Sequence, residues 1–150
     1  MMTQCEHLTN RHIEPIHSHC SRIVINQPKT RRRLDDFTAD QWRASVSETL
    51  EDAMLKAQDI VFDLVGKGGG VLLVVVPECD GDGAWHAAIA GLHGLVRAIA
   101  KEYGRAGIRC NLLVGDRPAI ERLLVENTAI TGEMLVVCEG TWGASGLERM

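Results

Sequence analysis

Residues 71–76 read Val-Leu-Leu-Val-Val-Val, an unbroken apolar run set between GKGGG and Pro77. A half-buried strand alternates apolar with polar residues; this run does not, and it is too short for a buried helix. A strand apolar on both sides belongs in the middle of a sheet that is covered on both faces, as parallel strands are in α/β folds. The chain must therefore supply helices for two faces.

It does. AWHAAIAGLHGLVRAIAKEYG, residues 84–104, carries one stripe of Trp85, Ile89, Leu92, Val96, Ile99 and Tyr103 at helical spacing. Ala84, Ala88, Gly91, Leu95 and Ala98 form a second stripe beside it, which leaves His86, His93, Arg97 and Lys101 for water. A surface helix needs one buried face, and this one offers nearly two. Residues 39–65 keep helical spacing through Trp42, Val46, Leu50, Ala53, Ala57, Ile60 and Leu64, with Thr38 as the N-cap. GKGGG ends that helix. RIVIN (22–26), residues 107–113 and EMLVVC (133–138) read as further strands, and Pro118 opens a short helix over 117–127. The order β-α-β-α-β-α-β implies parallel pairing through right-handed crossovers.

Composition narrows the function classes. A net charge of −4 in 150 residues argues against nucleic acid, and no apolar run approaches the roughly 20 residues of a membrane span. The first twelve residues lack an apolar signal core, and five cysteines without a C-x-x-C suit a reduced cytoplasm. Residues 1–21 form a polar arm ahead of a single domain over 22–150.

At this point three segments resemble short-chain dehydrogenases/reductases. DFTADQW is similar to the T-x-E-x-W start of their fourth helix, and WHAAIAGLHGLVRAIAKEYGRAGIRCN to their Tyr-x-x-x-Lys helix and next strand. AITGEMLVVCEGTW resembles their closing strand. The likeness covers about residues 22–142 in the family's order and spacing. It implies a truncated Rossmann-like half-fold of about four parallel strands with covering helices. The first βαβαβ nucleotide-binding half is missing, because only 21 residues precede Arg22.

The departures bear on chemistry. The family's catalytic Tyr falls on Trp85 and its Lys on Ile89; its Ser falls near Val75 to Pro77, and its Asn near Ser47 or Glu48. Alcohol oxidation in this family needs a titratable phenol with a neighbouring ammonium, and Trp and Ile supply neither. GKGGG precedes a strand instead of opening a helix, so it reads as a turn, not a phosphate cradle. The expectation is a pseudoenzyme that binds no cofactor and no metal of its own.

Other constellations read first as structure. Cys5, His7, His12, His17, His19 and Cys20 could chelate zinc, but they lack a framing pair beyond His12 and His17. Lys29, Arg31, Arg32 and Arg33 make a basic loop whose functional version is a contact to phosphate, such as a coenzyme A tail. Asp35, Asp36, Asp80 and Asp82 read as caps and turns, and Cys79 and Cys110 as small core or loop residues.

In this family the helices matching 39–65 and 84–103 pack on a neighbouring subunit as a four-helix bundle. The resemblance therefore implies an interface at Ala84, Ala88, Gly91, Leu95 and Ala98, with Leu55, Phe62 and Trp142 beside it. The partner it implies is a full-length, active, NAD-binding subunit, together forming a heterotetramer. In kind this resembles the two-component CoA-ester dehydrogenases of anaerobic toluene degradation. The rival expectation is an autonomous ligand- or metal-binding module that uses the basic loop 29–33 or the His/Cys-rich arm.

Overall fold

In the computed structural model, which describes residues 19–28, 31–78, 80–115 and 117–137, Val71 to Val76 are all buried. They form most of β2 (Gly70–Val76), flanked by β1 (Cys20–Val24) and β3 (Ile108–Val114), with β4 (Met134–Val136) beyond. All three pairings are parallel and the order is β1-β2-β3-β4. This is an α/β, Rossmann-like sheet of four strands. Its first strand starts at Cys20, two residues earlier than RIVIN suggests, and its last is limited to Met134–Val136.

The lack of alternation in β2 has its expected cause. Leu72, Val74 and Val76 join Ile23, Ile108, Leu112 and the helices α2 (Glu48–Gly66) and α3 (Gly83–Tyr103) in the larger core. Leu73 and Val75 face the other way, against Leu113 and Leu124 of α4 (Pro118–Glu126). Ahead of α2, α1 (Ala39–Trp42) begins at a reciprocal cap. The Gln41 backbone N–H donates to Thr38 Oγ1 at 3.2 Å, and the Thr38 N–H donates to Gln41 Oε1 at 3.0 Å. Arg43–Ser47 is wound as a π-helix between α1 and α2 and packs on α3, so the helix expected over 39–65 is interrupted, not uniform.

GKGGG is a turn. Gly69 holds φ +122°, and a Cβ there would lie 2.8 Å from the Gly107 carbonyl oxygen, so the α2–β2 and α3–β3 turns can touch only without side chains. At the far side a buried polar residue ties β3 to β4. Asn111, 0% exposed, donates from Nδ2 to the Ile130 carbonyl (2.9 Å) and accepts from the Glu133 N–H (3.1 Å). Arg109 reaches from β3 to the carbonyls of Val125 and Asn127 at the end of α4.

The second stripe of α3 is met largely from within the chain. Ala84 and Ala88 are 0% exposed, and a Cβ on Gly91 would lie 2.6 Å from Leu50 Cδ1. Small residues there admit the chain's own preceding helical segment. These three positions are corrected: their smallness serves intramolecular packing. His93 is also corrected, since it is half-buried with Nε2 3.3 Å from the Gly132 carbonyl oxygen.

Candidate functional site

Open α/β sheets hold ligands outside the carboxyl ends of their strands, where connections diverge. Here the carboxyl ends of β1 and β2 lead into Asn26–Gln27 and Pro77–Glu78, and the start of α3 lies over them. Asp82 caps that helix, its Oδ1 accepting from the Trp85 N–H at 2.9 Å. One turn of helix later, the position matching the family's phenol carries Trp85, 1% exposed, whose Nε1–H points at the Glu78 carbonyl at 3.5 Å. Ile89, in the ammonium position, is 8% exposed and belongs to the main core.

The space in front of Trp85 is filled. A Cβ on Gly81 would lie 2.3 Å from Trp85 Cδ1 and 2.6 Å from the side-chain amide of Gln27. In the orientation that satisfies its amide, Gln27 donates to a Glu78 carboxylate oxygen and to the Asp80 carbonyl, each at 2.8 Å. Indole, amide and loop thus occupy the crevice. Val75 and Val76, near the position of the family's serine, are fully buried. The carboxylates of this corner are engaged by the chain itself: Glu78 accepts from Gln27, and Asp82 from the backbone N–H groups of Arg32 and Trp85. The partners of Gln27 were not legible, because Glu78 and Asp80 are distant in sequence. The strand connections also run one way across the sheet, so the described strands contain no divergence point.

The basic loop is drawn into the same corner. Arg31 pairs with Asp80 at 2.9 Å, Arg33 with Asp35 at 3.2 Å, and the Arg32 backbone N–H donates to Asp82 Oδ2 at 3.2 Å. The guanidinium groups of Arg31 and Arg33 thus meet this chain's own carboxylates in exposed pairs. Lys29 lies outside the described residues, as do Trp142, Cys5, His7, His12, His17, Cys79 and Cys138. Among the described residues no group of three His, Cys, Asp or Glu side chains could hold a metal ion.

Of the other expected interface residues, Phe62, Leu95 and Ala98 line one groove, and Leu55 is not among its lining residues. Leu95 is half-buried and Ala98 exposed on α3, while Leu55 (51% exposed) and Phe62 (84%) stand on α2. Between the helices runs a groove of about 530 Å³, lined by Val61, Phe62, Val65, Leu95, Ala98 and Ile99 among others. No helix among the described residues is long and apolar enough to cross a membrane.

No family model matches the sequence, and no curated protein is significantly similar to it. Solved structures do match the fold. Acetoin dehydrogenase from Salmonella typhimurium superposes with a TM-score of 0.65 at 21% identity, over 77% of this chain and 61% of its own. An oxidoreductase of the short-chain dehydrogenase/reductase family from Burkholderia thailandensis gives 0.58 at 22%, over 77% and 62%. A 3-ketoacyl-ACP reductase from Sinorhizobium meliloti gives 0.64 at 19%, over 80% and 68%. The chain thus spans about three-fifths of the length of the first two.

Proposed function

We infer that this chain, whose fold is that of short-chain dehydrogenases/reductases, carries a tryptophan and an isoleucine where that fold's oxidoreductases would place their proton-transfer pair. We propose that it is a non-catalytic member of that superfamily, which binds an active, NAD-dependent dehydrogenase subunit in the cytoplasm and stabilises or regulates it. The observation that carries this reading is Trp85, sealed at 1% exposure with Gln27 and Gly81 packed against it. A buried indole can neither titrate nor meet a substrate hydroxyl. The groove between α2 and α3, with Phe62 at its rim, supports the assembly half of the reading.

The partner of this reading is a full-length subunit that holds NAD, in a heterotetramer of two active and two inactive chains. Its type is the 2-(α-hydroxybenzyl)succinyl-CoA dehydrogenase of anaerobic toluene degradation. The test has two parts. Calorimetry on the purified chain with NAD is expected to give no saturable heat; saturable binding would sink the reading. The tagged chain, purified from its own cells, is expected to bring a dehydrogenase with it, and Phe62→Glu is expected to release that subunit. Retention of the dehydrogenase by Phe62→Glu would remove the α2–α3 groove as its docking surface.

A further inference from the structure

The backbone bonds of β1 alternate in direction, and their parity identifies what its outer edge offers. The Ile25 N–H donates to the Val75 carbonyl at 2.8 Å, and the His19 carbonyl accepts from the Val71 N–H at 2.9 Å. Both groups of a strand residue point to the same side, so residues 19, 21, 23 and 25 address β2. Cys20, Arg22 and Val24 therefore turn their N–H and C=O groups away from the sheet. All three residues are exposed, and among the described residues β1 pairs only with β2. Natural edge strands are protected by proline, bulges or inward charges. This edge has none over residues 20–24, and its one charge, Arg22, is held by Glu121 of α4 at 3.0 Å.

We infer that the outer edge of β1 takes up an extended segment of a different polypeptide, which adds a fifth strand to the sheet. Two observations choose that occupant. About two-fifths of the acetoin dehydrogenase and Burkholderia thailandensis chains have no counterpart in the matched residues, so this sheet lies within a larger body in those proteins. A second copy of this chain is disfavoured, because the antiparallel register that joins all three outward residues sets Arg22 against Arg22. The added segment carries a small polar residue opposite Arg22, whose charge Glu121 already holds, and an apolar one opposite Val24. Its main chain supplies the affinity and those two positions the selectivity. This surface is separate from the α2–α3 groove.

Val24→Pro tests the inference. It deletes one outward N–H and blocks strand addition, yet removes no bond to β2, and proline is tolerated on an edge facing outward. The probe is the complex that forms on the tagged full chain in its own cells, compared with the chain alone by residue-resolved amide exchange. In the chain alone the Arg22 and Val24 amides are expected to exchange freely while the Ile25 amide is protected. In the complex Arg22 and Val24 should slow by on the order of 100-fold. Val24→Pro should lose the bound polypeptide and keep the Ile25 protection, which shows the fold intact; Val24→Lys, which retains the N–H, provides a second variant. The inference is overturned by edge amides already protected in the chain alone, by a complex in which the Arg22 and Val24 amides exchange as freely as in the chain alone, by an Arg22 amide that stays slowed in the Val24→Pro complex, or by a chain that purifies without any partner. A self-dimer that Val24→Pro abolishes assigns the edge to a second copy and overturns it equally.

Discussion

Trp85 decides more than any other side chain. It is large, its N–H needs an acceptor when buried, and the Glu78 carbonyl lies in that direction. Restoring Tyr at 85 and Lys at 89 is expected to produce no alcohol oxidation, since a lysine at Ile89 would enter a core position that is 8% exposed. Ile89→Lys should instead lower stability by about 3 kcal/mol, read by urea denaturation; an unchanged midpoint would mean that the ammonium finds water. Cys110 gives a pH signature. Burial pushes its thiol from the ordinary 9.0 up to about 12. Below pH 9 the thiol is neutral in both states, so its contribution is fully present. Above that the unfolded thiol ionises first, and stability falls as pH rises toward about 12. The expected loss is about 1.4 kcal/mol per pH unit within the window, and Cys110→Ala should flatten the slope between pH about 9 and about 11. A slope unchanged in Cys110→Ala would assign the alkaline loss to other groups.

Among the elements, the glycines separate two roles. Gly94 lies in the interior of α3 with nothing within 4 Å of the place a methyl group would take, whereas Gly69 is in a left-handed turn against Gly107. Gly94→Ala is expected to raise stability by about 0.5–1 kcal/mol through helix propensity. Gly69→Ala is expected to lower it by about 2 kcal/mol or more, because both the positive φ and the contact with the Gly107 carbonyl oppose a Cβ. Thermal denaturation of the two variants checks the sign of each; equal shifts would contradict the turn geometry. The connection between β3 and β4 depends in the same way on Asn111. Asn111→Leu leaves the Ile130 carbonyl and the Glu133 N–H without their side-chain partner, at a cost of about 2 kcal/mol.

For the whole molecule, the question raised by the two stripes of α3 has a divided answer. At its start the second stripe is covered by the chain itself, as Ala84, Ala88 and Gly91 show; further along, Leu95 and Ala98 line an open groove with Phe62. A charge at Leu95 is therefore expected to act on association, and a charge at Ala88 on folding. Sedimentation of Leu95→Glu beside a melting curve of Ala88→Glu distinguishes them. Loss of fold in Leu95→Glu would place that residue with the core. His93→Glu, on a stripe that reads as solvent-facing, is expected to destabilise as well, since it sets a carboxylate against the Gly132 carbonyl.

The sequence by itself determined the fold class, because hydrophobic period is a local property: six apolar residues without alternation require cover on two faces. It also determined the caps at Thr38 and Asp82 and the turn at Gly69, where the chemistry lies within a few residues of the backbone it serves. That Trp85 and Ile89 offer no titratable side chain was legible too, because that chemistry belongs to the residue itself. Asn111 carried a readable signal, an amide between Cys110 and the apolar run Leu112–Val114, but its partners at 130 and 133 did not. Tertiary structure alone decided that Leu50 covers Gly91, that Gln27 closes the space before Trp85, and that Arg31 is held by Asp80. Each of these joins residues more than forty positions apart, and a helical stripe of alanines looks the same whether its own chain or another covers it. Periodicity shows that a face is buried; only packing decides by what.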